Sequence, residues 1–230
     1  MYHSDYSIES GVSRFMYKVY GWMSAGLAIT AGIAYYLSTS ELFIQALVTK
    51  PFLLMVLFLI QIGLVIGLSM FVMRMNYATA VGCFLLYAAC VGISLTPIFL
   101  VYTLGSIYLT FAITASMFGF MCIYGYLTDA DLTSIGNICT MMLFGLIIAM
   151  VVNMFLKSAT MDYVLSAIGV VVFSLLTAYD SQKIKQMGSQ LMTDPHTRAK
   201  VAILGALTLY LDFINLFLFL LRFTGNRSRD

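Results

Sequence analysis

Seven apolar stretches, each about as long as a bilayer is thick, predict an all-α polytopic membrane helical bundle. Composition agrees: 61% of the 230 residues are hydrophobic and 10% charged, with a mean hydropathy of +0.96. Soluble domains carry about 25% charged residues. The runs are also continuous, as in Phe52-Leu-Leu-Met-Val-Leu-Phe-Leu-Ile60, whereas the strands of a membrane barrel alternate apolar with polar residues. In hydrocarbon every backbone N–H and C=O must be satisfied within the segment, which leaves the helix.

Residues 1–18 read as a polar N-terminal tail carrying Asp5, Glu9, Arg14 and Lys18. They lack the basic start of a signal peptide, so the stretch that follows reads as an uncleaved first span. The expected spans are 19–38, 52–73, 78–100, 104–126, 134–155, 163–180 and 201–223. Together, residues 19–223 form one transmembrane domain, followed by a basic tail over 224–230. The connections are short, and Thr133 or Ser134 is the expected N-cap of the fifth span. The sixth span is the weakest, because Asp180, Lys183 and Lys185 crowd its end. Beyond it lies the longest polar connection, 181–200, which Gly188 and Pro195 are expected to break. Gly63/Gly67, Ala78/Gly82, Ala115/Gly119 and Ala28/Gly32 have the spacing that lets membrane helices approach closely.

Basic residues favour the cytoplasmic side of a membrane. Seven spans with a cytoplasmic N-terminus put Arg14, Lys18, Arg74, Lys183, Lys185, Arg198 and Lys200 inside. Lys50, Lys157, Arg222, Arg227 and Arg229 then lie outside, a small bias of seven against five. A re-entrant last segment would make it ten against two.

Several function classes are set aside by what is missing. A net charge of +2 offers nothing to nucleic acid. Cys83, Cys90, Cys122 and Cys139 lie in apolar runs without CxxC spacing, and both histidines, His3 and His196, lie outside the spans. No bound cofactor is therefore expected. Nor is an enzyme: no nucleophile–base pair or phosphate loop is present, and neither Asp180 nor Asp212 follows the Gly-x-Gly of intramembrane aspartyl proteases.

The chemistry concentrates in two aspartates inside the last two spans, Asp180 and Asp212. A carboxylate at mid-membrane costs roughly 2.5–3.5 kcal/mol on insertion scales and is rarely placed there without a partner or a task. At 1.5 Å per residue, Asp180 lies roughly 12 Å from a helix end at Gly188, and Asp212 roughly 18 Å from a start at Lys200. The two can sit level only if the sixth helix continues past Asp180. If they meet, they share one proton and titrate as a coupled unit, which makes a pH sensor. Doubly ionised, they form a transient site for a hard cation such as Ca²⁺. Asn215, Tyr179 and Tyr210 are candidate auxiliary oxygens. Arg74 is a candidate latch for the ionised pair, and a purely structural ion pair is the bland alternative. Gln61 and Asn153 read first as interhelical amide contacts.

Thr177-Ala-Tyr-Asp-Ser-Gln-Lys-Ile-Lys185 and Leu209-Tyr-Leu-Asp-Phe-Ile-Asn-Leu-Phe-Leu218 closely resemble the closing signature of the Bax inhibitor-1 family. The stretches Ala115–Tyr126 with Asp131-Leu-Thr133, and Gln61–Ser69, resemble that family too. The resemblance covers most of the chain and points to the bacterial branch. It implies a seven-helix fold with the last helix central, in a bacterial inner membrane. It also implies a pH-sensitive calcium leak channel, with Asp180 and Asp212 as sensor and Arg74 as latch. Gln61 stands where helix two offers no carboxylate, as a further pore-lining candidate. The implied partners are the lipid bilayer, calcium ions, protons and a membrane-bound AAA protease. A non-channel scaffold regulating such a protease is the alternative.

Overall fold

The apolar runs fold as helices in the computed structural model, which describes residues 2–50, 52–190 and 194–226. In chain order these are α1 Tyr2–Ser38, α2 Glu41–Thr49, α3 Phe52–Phe71, α4 Tyr77–Leu95, α5 Ile98–Val101, α6 Leu104–Leu127, α7 Thr133–Leu156, α8 Ala159–Gln190 and α9 Pro195–Thr224. Among the described residues, six spans are long and apolar enough to cross a membrane singly. The expected first span qualifies only together with α2, across a bend of 93° at Thr39–Ser40. The expected polar tail is continuous helix instead: α1 starts at Tyr2, and Val12, Phe15 and Met16 are buried in its polar half. The basic tail falls largely outside the described residues.

The described chain divides into two compact units. Unit 1 holds the chain up to Val101 together with Met187–Tyr210; unit 2 holds Tyr102–Gln186 and the chain from Leu211. α9 contributes its first half to one and its second half to the other. It is the most buried span: 67% of its apolar window is covered, against 6% for α3.

In unit 1, α1 and α4 approach at Gly26 and Gly92. A Cβ on Gly26 would lie 2.7 Å from the Phe84 ring, and one on Gly92 would lie 2.8 Å from the Thr30 carbonyl oxygen. Thr30 Oγ1 donates to the Ala88 carbonyl at 2.8 Å, joining the same two helices. Gln61 joins α3 to α4, its Nε2 donating to the Cys90 carbonyl (2.9 Å) and to Ser94 Oγ (2.6 Å). Interhelical hydrogen bonds in lipid average about 0.6 kcal/mol and reach about 1.7. Gln61→Leu is therefore expected to lower the melting temperature in detergent modestly. An unchanged melting temperature would show that this amide carries no stability.

In unit 2, α8 runs ten residues past Asp180 because polar contacts hold it there. Ser181 Oγ donates to the Cys122 carbonyl (3.0 Å) and Lys185 Nζ to the Tyr126 carbonyl (2.7 Å), both near the C-terminal end of α6. Gln182 bridges the α6–α7 loop, accepting from Leu132 N and donating to the Ala130 carbonyl. Gly188 does not break the helix. It lets α8 close on α1, where a Cβ would fall 2.4 Å from the Phe15 ring.

The helix ends carry one correction. The N-cap of α7 is Leu132 rather than Thr133 or Ser134, and the Asp131 carboxylate accepts the Thr133 N–H at 2.9 Å. Asn153 ties the end of α7 to the residue just before α8. Its Oδ1 accepts from Ser158 N just after α7, where Lys157 adopts a left-handed φ of 50°. Pro195 opens α9, a position where its missing N–H is harmless. Asp194 Oδ1 accepts there from the N–H groups of His196 and Thr197.

Hydrogen bonds from the side chain and then the backbone N–H of Thr133 and of Thr197 hold the exposed carboxyl groups of Asp131 and Asp194, respectively, below their ordinary value of 3.8. A lowered folded-state value stabilises the fold above the ordinary value, and the benefit is lost as pH falls through the folded one. Asp131→Asn and Asp194→Asn are expected to lower thermal stability at neutral pH and to converge on wild type at strongly acid pH. Melting curves across pH test this; a deficit that persists in acid would contradict it.

Candidate functional site

α8 and α9 each bring one carboxyl group into unit 2, Asp180 and Asp212. The two side chains lie close enough to interact with each other. Asp212 is only 5% exposed, and its Oδ2 has no hydrogen-bond partner among the described residues; Asp180 is half-buried. An ionised carboxyl group only accepts, so a hydrogen bond between the two would need one shared proton.

Close packing positions the pair. On α8, the residues beside Asp180 lie against glycines: Ala178 on Gly125 of α6 and the Tyr179 ring on Gly136 of α7. On α9, Phe213 follows Asp212 and sits between Phe111 and Phe118 of α6, with ring centroids 5.4 and 5.3 Å away. Farther along α9, Phe219 stacks on Phe173 and meets α8 at Gly169. These contacts set the rotation of both helices, and with it the direction of each carboxyl group.

The other candidates separate. Asn215 lies one turn beyond Asp212, half-buried, and its Nδ2 donates to the Leu211 carbonyl (2.8 Å). Tyr179 packs on Gly136, with Lys183 Nζ 5.5 Å from its ring centroid. Tyr210 is engaged elsewhere, in unit 1: its hydroxyl lies 2.6 Å from Thr30 Oγ1, and its ring meets Phe84 and Tyr87 edge-on. Gln61 is the α3–α4 link already described. Arg74 is exposed on the turn after α3, in unit 1.

Lys183, which in the sequence only marks the crowded end of the sixth span, is a further neighbour. It lies within electrostatic range of Asp180. Its spacing of three residues, which places it on the same helix face, is the signal that identifies it.

Chemically, the pair can hold one proton or, doubly ionised, a hard cation. With Tyr210 bonded to Thr30, its oxygens fall well short of the six to eight that a resident Ca²⁺ takes, and fit a passing ion better.

Residues 12–229 match the family model described as Inhibitor of apoptosis-promoting Bax1. The chain is 47% identical over 220 residues to the inner membrane protein YbhL of Escherichia coli K12, covering 95% of this chain and 94% of that one. An uncharacterized protein of Borreliella burgdorferi is 44% identical over 218 residues, with 95% and 94% covered. The uncharacterized protein YrjE of Lactococcus lactis is 36% identical over 219 residues, with 94% and 92% covered. With its membrane-crossing helices matched over most of their length, the chain belongs to the Bax inhibitor-1 family of integral membrane proteins.

Proposed function

We propose that the chain is a pH-sensitive cation leak of a bacterial inner membrane, permeable to Ca²⁺ and gated by the proton shared between Asp180 and Asp212. It acts as a channel rather than an enzyme. The observation that carries this reading is the placement of the two carboxyl groups beside each other, one of them buried with an oxygen that has no partner among the described residues. Two acidic groups in contact interact too strongly to titrate independently, so their charge changes in coupled steps. Their helices are packed through glycine and aromatic contacts, so a change of charge there acts on α8 and α9 together. The inner-membrane placement is supported by the name of the Escherichia coli relative. Calcium as permeant ion follows the family resemblance and the oxygen-only character of the pair.

The test is reconstitution of the full chain in liposomes loaded with a calcium dye, comparing wild type with Asp180→Asn and Asp212→Asn across pH. A pH-dependent leak that both substitutions flatten supports the proposal. A leak indifferent to pH and to both substitutions removes the sensor. Absence of leak in all three proteins would favour a scaffold acting on a membrane-bound AAA protease.

A further inference from the structure

Within unit 1, the polar half of α1 and the start of α9 enclose a cavity of about 200 Å³. One water needs roughly 10–15 Å³ measured this way, so the space holds a phosphate group and part of what it is attached to. Arg14 and Lys18, one helical turn apart, line it from α1; Pro195, Arg198 and Ala199 line it from α9, and Phe15 completes it. Three cations line this space.

Arg198 is held in place. Its Nη2 donates to the Gly11 carbonyl, and its guanidinium lies 5.8 Å from the Phe15 ring centroid. Phe15 is 1% exposed and is backed by Gly188 of α8. A guanidinium fixed by stacking and a main-chain bond loses little freedom on meeting an anion. Arg14 and Lys18 are exposed and free to close on it. The N–H groups at the start of α9 are already taken by Asp194, so any selectivity for anions comes from the three side chains.

The cavity also lies at a telling depth. Lys18 directly precedes the first apolar run, and Arg198 comes three residues before Val201, where the last run begins. Both positions mark the edge of the hydrocarbon, the level of lipid headgroups, and basic pockets between membrane helices are suited to such groups.

We propose that this cavity binds a phosphate group, namely that of an anionic phospholipid headgroup. The two mobile cations clasp the phosphate against Arg198, and the headgroup ties α1 to α9 at the membrane surface.

The purified full chain is titrated with short-chain phosphatidylglycerol, phosphatidylcholine and inorganic phosphate, with bound ligand counted by native mass spectrometry. Wild type is expected to retain one phosphatidylglycerol and to hold phosphatidylcholine more weakly. The double variant Arg14→Gln/Lys18→Gln should bind phosphatidylglycerol about 25-fold more weakly, at roughly five-fold per cation. Both side chains are exposed, so its unliganded melting temperature should match wild type. The control Lys50→Gln/Lys157→Gln removes two exposed cations elsewhere and should bind as wild type. Inorganic phosphate binding that depends on the same two residues would support the phosphate site and assign it a soluble ligand. Equal phosphatidylglycerol affinity in all three proteins overturns the proposal, as does an equal loss in the control.

Discussion

Alanine at position 125 is expected to destabilise this protein severely, although it adds a single methyl group. The Cβ would lie 2.0 Å from the Ala178 carbonyl oxygen and 2.8 Å from its carbonyl carbon. Both are backbone atoms of α8, so no rotamer change relieves the clash, and α6 and α8 must separate. Overpacking a close-fitted site typically costs about 1–3 kcal/mol, and a backbone-to-backbone contact belongs at or beyond the upper end. Separation would also stretch the Ser181–Cys122 bond and shift Asp180 two residues on. Gly125→Ala should therefore lose folded, monodisperse protein after extraction. Gly63→Ala and Gly67→Ala should behave as wild type, since nothing lies within 4 Å of a Cβ at either position. Equal melting temperatures for Gly125→Ala and Gly63→Ala would disprove the close α6–α8 packing.

Asparagine at position 212 is expected to remove most of the pH dependence of calcium leak. An amide approximates the protonated acid in shape and can still donate a hydrogen bond to Asp180, but it cannot release a proton. A group whose proton affinity differs by one pKa unit between two conformations shifts their equilibrium about tenfold on full titration. Wild-type leak should thus change roughly tenfold or more over the titration, and Asp212→Asn by less than about twofold. Asp180→Asn should flatten the profile too, because Asp212 then has no acidic partner with which to share a proton. Dye-loaded liposomes at equal protein density provide the measurement. A full pH response surviving in Asp212→Asn would place the sensor elsewhere.

The pair was legible in the sequence because an acidic residue in an apolar run is conspicuous, whatever surrounds it. The required continuation of α8 could be inferred from helix rise; the means of achieving it could not. Ser181, Gln182 and Lys185 read as a polar connection, yet they bond to carbonyl groups of α6 and the α6–α7 loop, 52 to 59 residues away. The small-residue pairs misdirected. Gly32, Gly63, Gly67, Gly82 and Gly119 all have open space where a Cβ would be, while Gly26, Gly92, Gly125, Gly136 and Gly169 lie in close contact. Spacing identifies one face of a helix without saying whether a neighbour or lipid covers it.

By itself, the sequence determined that the chain spans a membrane as helices, where the apolar runs lie, and which two acids stand inside them. Each of these follows from a local cost: apolar surface in water, or an unpaired charge in lipid. The tertiary structure alone decided which polar side chains meet. It set Asp180 beside Asp212, gave Tyr210 to Thr30 and Gln61 to α4, and left Arg74 on an exposed turn. It also brought Arg14 and Lys18 to the same cavity as Arg198, about 180 residues later in the chain. The reason is geometric: a hydrogen bond or ion contact forms within about 3 Å, and helix rotation and tilt are set by packing throughout the fold.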